Sequence, residues 1–399
     1  MSDPRGDFAS PLTGPDPRRI AMIALLRVAC ATTLMVMSFS MLQPVLAVRL
    51  QTAGVSASAI GLLAMLPFLT VALMVPLMPQ VFARMSVATA YRVGMSLETL
   101  ATLGYAFTSH YALWCALAVL GGIGAAAVWN GTEALIAHNA PPDRRGRFTG
   151  LYQSALGAAL AIGPFLPGLL PLSPQALTVF AAALMLAGLL VTFGRGVSAL
   201  QASNEDALPA GLWATICSVP GLVTIAFAGG VFEAGLGSIT TAYGSQSGLS
   251  LAAATSLAGA LGLGSFALQY PCGWLSDHVS PRTVFGLAGA LLLSASAAFA
   301  TAAVWPPVLW ICAFVWGAVG GALYTLTMIR VAHQFASSSA IAGTAAMITG
   351  YTVGGAIGPS FSGLMIDQFG AHGQAAWLSV LSVVVLVLSR RFSGTAGHA

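Results

Sequence analysis

The sequence predicts an all-α polytopic membrane protein with twelve transmembrane helices in two six-helix parallel repeats. Three observations predict it: a composition nearly empty of charge, apolar runs of membrane-spanning length, and a second half that repeats the first. The 399 residues are 57% hydrophobic and only 7% charged, whereas a typical soluble domain carries roughly 25% charged residues. So few charges cannot cover an aqueous surface. Apolar runs recur from Ile20 to Ser389, and at about 1.5 Å per residue a run of about 20 crosses a hydrocarbon layer roughly 30 Å thick. The runs are continuous and rich in Ala, Leu and Gly, without the alternation of barrel strands.

The polar and turn-forming breaks divide the chain in order. Span one, 22–47, follows the Arg18-Arg19 pair and contains Pro44; span two, 57–81, follows QTAGVSAS. Span three, 88–109, lies between Arg84 and His110, and span four, 112–138, ends at PPDRRGR. Span five, 147–171, stops at LPLSPQ, and span six, 175–195, runs to Arg195. After QASNEDALPAG come span seven, 213–241, and then, beyond GSQSGLS, span eight, 251–275. DHVSPR introduces span nine, 282–303; the prolines at 306 and 307 introduce span ten, 307–333. QFASSS precedes span eleven, 341–366, and DQFGAHG precedes span twelve, 374–390.

Orientation rests on arginine, because the chain has no lysine. With a cytoplasmic N-terminus, Arg5, Arg18, Arg19, Arg84, Arg92, Arg144, Arg145, Arg147, Arg195, Arg282, Arg390 and Arg391 all fall in or beside cytoplasmic segments, while Arg49 lies on the far side. The net charge of +4 is thus a topology signal, and no nucleic-acid partner is expected. The tail 1–20, with three aspartates and four prolines, does not resemble a cleavable signal. The expected layout is a cytoplasmic N-terminal tail (1–20), an N-terminal bundle (21–195), a cytoplasmic linker (196–211), a C-terminal bundle (212–391) and a cytoplasmic C-terminal tail (392–399). Five dispersed cysteines and six dispersed histidines lack any metal-ligand spacing, so no metal, cofactor or enzymatic site is expected.

The halves share a register. Ala-His ends at His138 and again at His333, 195 residues apart, and the same offset relates Pro76 to Pro271, Gly94 to Gly289, Thr132 to Thr327 and Gly163-Pro164 to Gly358-Pro359. Parallel repeats of this kind belong to transporters that bind substrate between the halves and rock around it.

Three sets of motifs sharpen the reading. GWLSDHVSPR, at 273–282, resembles the loop motif of the major facilitator superfamily, with Gly273, Asp277 and Arg282 in its places; the first-half counterpart keeps Arg84 but lacks the acid. Gly273 would permit close helix approach, and Asp277 would cap a neighbouring helix or pair with an arginine in one conformation. GAALAIGPFLPG and GYTVGGAIGPSFSG, on spans five and eleven, resemble the family's glycine-proline motif, which implies bends at Gly163-Pro164 and Gly358-Pro359 and a lean towards export. WNGTEALIAHNAPPDRRGRFTGLYQ, ITTAYGSQSGLS and QYPCGWLSD are similar to the YcaD-type branch of bacterial major facilitators. That resemblance implies the major facilitator fold and a proton-linked or facilitative carrier of small molecules in the bacterial inner membrane; with the arginine pattern, a monomer with both termini cytoplasmic is expected.

Ionisable groups inside spans cost roughly 2.5 to 3.5 kcal/mol each at a helix centre, so each calls for a partner or a role. Glu233, on span seven, lies about mid-membrane among Gly, Ala, Val and Phe. Desolvation there favours the neutral acid, which makes Glu233 the candidate proton-coupling residue, a binder of cationic substrate, or a buried hydrogen-bonding acid. Glu133 lies near the cytoplasmic edge of span four and reads best as half of an ion pair: with Arg330 it would gate the two halves, with Arg147 it would clip one half; a substrate or proton role is the third alternative. Arg27, Gln43, Trp129, Asn130 and Tyr324 are candidate cavity residues, although Arg27 could equally snorkel to the surface. Glu98, on span three, has no readable partner.

Overall fold

The computed structural model describes residues 17–140, 145–200, 212–335 and 340–392. The expected tails up to residue 16 and from 393, and the expected linker at 201–211, lie outside the described residues. Among the described residues every regular element is helical.

A helix occupies each expected span. α1 is Pro17–Thr52. α2 is Ala57–Met74, continued through the 3-10 turn Val75–Leu77 into Met78–Arg84. α3 is Val87–Phe107 and α4 is Tyr111–Asn139. α5 is Arg145–Ile162, continued through Gly163–Phe165 into Leu166–Leu169, and α6 is Pro174–Val191. α7 is Pro220–Gly230, a π-helical turn Val231–Gly235, and Gly237–Gln246. α8 is Leu251–His278, α9 Pro281–Ala298 and α10 Val308–Gln334. The helical run Ala340–Ser389 breaks at Gly370 (φ 61°, ψ −149°) into α11, 340–369, and α12, 371–389. By length and apolarity, eight stretches among the described residues qualify as spans, or nine with one bent pair, when Ala342–Ser389 is taken whole.

One boundary differs from the expectation. The span expected at 213–241 begins at Pro220, because Leu212–Ser218 turns away from it by 97°. Pro220 has no N–H to donate backwards and pushes Val219 out of the helical region, to φ −128° and ψ 51°. The detached helix leaves Trp213 exposed.

The caps repeat along the chain. Ser56, Ser86, Ser173, Ser250 and Ser280 each accept a hydrogen bond from the backbone N–H three residues on, at the start of α2, α3, α6, α8 and α9. Each such cap contributes about 1 kcal/mol. The GVS turn after α1 and the GLS turn after α7 are built alike: Gly54 (φ 78°) and Gly248 (φ 90°) end the helices, and the N–H groups of Val55 and Leu249 return to the carbonyls of Leu50 and Gly244. A left-handed residue at this position is what favours glycine.

Within the first half, α1 packs on α5 and α6, α3 on α4 and α6, and α2 on α4; within the second, α8 packs on α10, α7 on α10 and α11, and α9 on α12. α2 meets α11, α5 meets α8 and α1 meets α7 across the halves. The α7–α11 contact is a glycine seam: a Cβ on Gly350, Gly354 or Gly358 would run into Val223, Phe227 or Val231 in turn. Spacings of four residues match on both helices, so ridge lies in groove along one face.

Candidate functional site

Glu233 occupies the π-helical turn of α7. Such a turn holds one residue more than an α-helical turn and is frequent at functional sites. Glycines allow it to pack: a Cβ on Gly230 would strike the carbonyl of Tyr351, and one on Gly321 of α10 would stand 2.9 Å from Glu233 Oε1. The hydroxyl of Ser265, on α8, donates to Oε1, and that of Tyr351, on α11, donates to Oε2 at 2.9 Å. The Tyr351 ring leans on Tyr324 of α10, with centroids 4.6 Å apart at 45°. Glu233, Tyr324 and Tyr351 are each partly exposed. Two neutral donors orient the carboxyl without neutralising it, so the group can exchange a proton or face a cation.

The other expected residues are distributed around this cluster. Glu133 is exposed on α4. One turn earlier, Asn130 donates from Nδ2 to the carbonyl of Ala126 at 2.8 Å, and Trp129 packs on the core of the first half. Gln43 is partly buried beside Pro44. Arg330 stands over the Phe392 ring at 6.0 Å. Arg27 is drawn to the end of α6: its Nη1 donates to the Arg195 carbonyl at 2.6 Å, and the guanidinium lies against Gly194. That is the surface-seeking alternative, since a carbonyl at a helix end is a better partner than an apolar wall.

Of the loop motif, Arg282 is exposed, and the side chains of Asp277 and Arg147 lie outside the described residues. Gly273 departs from the expectation of close approach, because a Cβ there would meet open space. Gly163-Pro164 opens α5 into a 3-10 turn, with Gly163 pressed on Ser40 and Met37 of α1. Gly358-Pro359 keeps helical backbone angles within α11, with Gly358 set in the seam against Val231 and Gly235.

Sequence reasoning missed Ser265, Tyr351 and the π-helical turn. Their signal was a hydroxyl inside each of two glycine-rich stretches, GLGSF and GYTVGG. It also missed a buried cluster in the first half, where Thr32 Oγ1 lies 2.8 Å from the Tyr91 hydroxyl and 2.9 Å from Thr132 Oγ1. Glu98 is 5% exposed, and its Oε1 has no hydrogen-bond partner among the described residues.

Comparison with known proteins agrees with this architecture. Residues 28–266 and 222–394 each match the profile described as Major Facilitator Superfamily. An uncharacterized MFS-type transporter of Bacillus subtilis, YfkF, is 25% identical over 83% of this chain and 86% of its own. The uncharacterized MFS-type transporter YcaD of Shigella flexneri is 24% identical over 71% of this chain and 73% of its own. Among solved structures, the nucleoside transporter NupG superposes with a TM-score of 0.75 at 11% identity, covering 92% of this chain and 98% of that one. A D-xylose-proton symporter gives 0.72 at 12%, covering 92% and 96%. Helical bundle, paired caps, inter-half packing and profile match converge on one assignment: the chain belongs to the major facilitator superfamily of membrane transporters.

Proposed function

We propose that this transporter moves a small organic molecule by alternating access, as a proton-coupled exporter in the bacterial inner membrane, with Glu233 as the coupling residue. The observation that carries this reading is the partly exposed Glu233 carboxyl, oriented by Ser265 and Tyr351 from two other helices. Residues 21–195 and 212–391 act as the two moving bundles, joined by the linker 196–211. The protein works as a monomer with both termini cytoplasmic, and no cofactor takes part. The cross-half hydrogen bonds from Ala57 and Ser58 to Asp367, and from Ser245 to Gln51, support a state closed on the face opposite the termini. Glu133, paired with Arg330 or Arg147, serves the cytoplasmic side.

Purified protein in proteoliposomes, carrying a pH-sensitive dye and screened with organic anions, cations and neutral compounds, tests the reading. A substrate-dependent proton flux, abolished in Glu233→Gln while substrate binding persists, is the expected result. Transport that proceeds without a proton signal would make the protein a facilitator and leave Glu233 a packing residue.

A further inference from the structure

α11 links the candidate coupling site to the face opposite the termini. At one end Tyr351 donates to Glu233 Oε2 at 2.9 Å, and its backbone carbonyl fills the space where a side chain on Gly230 would stand. Further along, Pro359 lies against Gly61 and Gly363 against Ala57 so closely that no Cβ fits on either glycine. Between them, Ser360 Oγ lies 3.4 Å from Met65 Sδ. At the other end, Asp367 accepts two hydrogen bonds, from the backbone N–H groups of Ala57 and Ser58, each 2.8 Å. These are the first two residues of α2 after its Ser56 cap, and they belong to the N–H groups that a helix start leaves without an intrahelical partner. A carboxylate there also meets the positive end of the helix dipole. From Tyr351 to Asp367 the backbone stays helical, its first non-helical residue being Gly370, so the two contacts stand about 24 Å apart on one rod.

Resting on the reading of Glu233 as the coupling residue, we propose that Tyr351 is the positioning residue through which Glu233 sets α11, and that Asp367 is the clamp by which α11 holds α2 closed. With the carboxylate ionised, Oε2 accepts the Tyr351 hydroxyl and α11 is held. A proton on Oε2 turns the carboxylate oxygen into a hydroxyl oxygen, a much weaker acceptor without charge assistance, so the hold on Tyr351 loosens and α11 is free to carry Asp367 away from α2. The titratable groups around Glu233 on its neighbours are Tyr351 on α11, which donates to it, and Tyr324 on α10, whose ring lies against Tyr351; from α8 it meets the Ser265 hydroxyl. Because the partners of Asp367 are the backbone amides of Ala57 and Ser58, only proline among side-chain substitutions in α2 would remove a donor, and the clamp is tested here from its acidic side.

The test is pulsed electron resonance between spin labels at Ala53→Cys and Ser247→Cys, in full-length protein in lipid nanodiscs, with every native cysteine except buried Cys312 replaced by alanine. In the otherwise unaltered protein, lowering the pH is expected to move the label distances toward longer values. Glu233→Gln should hold one distribution at every pH. Tyr351→Phe, which keeps the ring against Tyr324 but cannot donate, should lose the pH response while melting like the parent. Asp367→Ala should populate the longer distances at every pH, and Asp367→Asn should do so in part. A pH response lost in Glu233→Gln but intact in Tyr351→Phe would overturn the role of Tyr351 alone. Unchanged distances in Asp367→Ala would overturn the clamp. Parent distances that ignore pH would overturn the coupling reading of Glu233 itself.

Discussion

Arg49 reaches the far end of α1 among apolar neighbours and is satisfied from three helices. Its Nη1 donates to the Tyr105 carbonyl at 2.8 Å and to Thr178 Oγ1 at 3.2 Å, and the guanidinium stands 4.7 Å over the Trp114 ring. Hydrogen bonds from a charged group contribute roughly 1.5 to 3 kcal/mol, so Arg49→Leu should destabilise the protein by about 2 kcal/mol, read as a lower melting temperature in detergent. Glu98 is the opposite case, a buried carboxyl with one oxygen unpartnered. Replacing a buried unsatisfied polar group by an apolar one of similar shape is neutral or stabilising, so Glu98→Met should leave transport intact and the melting temperature equal or higher. Loss of transport with retained folding would instead give Glu98 a function. At Glu233 the two effects separate: glutamine can still accept from Ser265, so Glu233→Gln should cost at most about 1 kcal/mol while ending proton flux.

Elements are held here by absent side chains. The seam between α7 and α11 depends on Gly350, Gly354 and Gly358 lying on the α7 backbone. Gly354→Ala places a methyl against the Phe227 carbonyl, a backbone atom that cannot rotate away, and overpacking of this kind typically costs about 1 to 3 kcal/mol. Because the same seam carries the π-helical turn, the variant should lose transport along with stability. Gly273→Ala is the control: its Cβ would enter open space, and stability should stay within about 0.5 kcal/mol of the parent. The bend before α7 belongs to this scale as well, since it follows from Pro220 and the residue before it.

For the whole molecule, the decisive contacts are those between halves related by the repeat. Gln51 and Ser245 are equivalent positions after the GVS and GLS turns are aligned, and they touch each other at 2.9 Å. Such a contact between like positions places them beside the pseudo-symmetry axis. Met65 and Ser360 face each other across α2 and α11. On the background that keeps only buried Cys312 of the native cysteines, Met65→Cys with Ser360→Cys should cross-link readily with a short bifunctional reagent and stop transport, and reduction of a cleavable linker should restore it. Cross-linking with transport unimpaired would mean that this seam does not part during the cycle.

Periodicity and composition were enough to determine the membrane class, the helical content and the order of the segments, because each apolar run must satisfy its own backbone in lipid. The 195-residue register and the motifs around Gly273 and Gly358 were legible as well, and led to the superfamily that the profile match establishes. Glu233 stood out as a candidate because a carboxylate in an apolar run is costly wherever it packs. Its neighbours did not, since Ser265 and Tyr351 lie 32 and 118 residues away, and no local pattern encodes which helices converge. The same holds for Arg27, whose partner is a carbonyl at the end of another helix, and for Asp367, which reads as a span boundary until α2 is brought beside it. Hydrophobicity is a property of each segment alone and is written along the chain, whereas hydrogen-bond partnership depends on helix rotation and approach, which only packing among the helices decides.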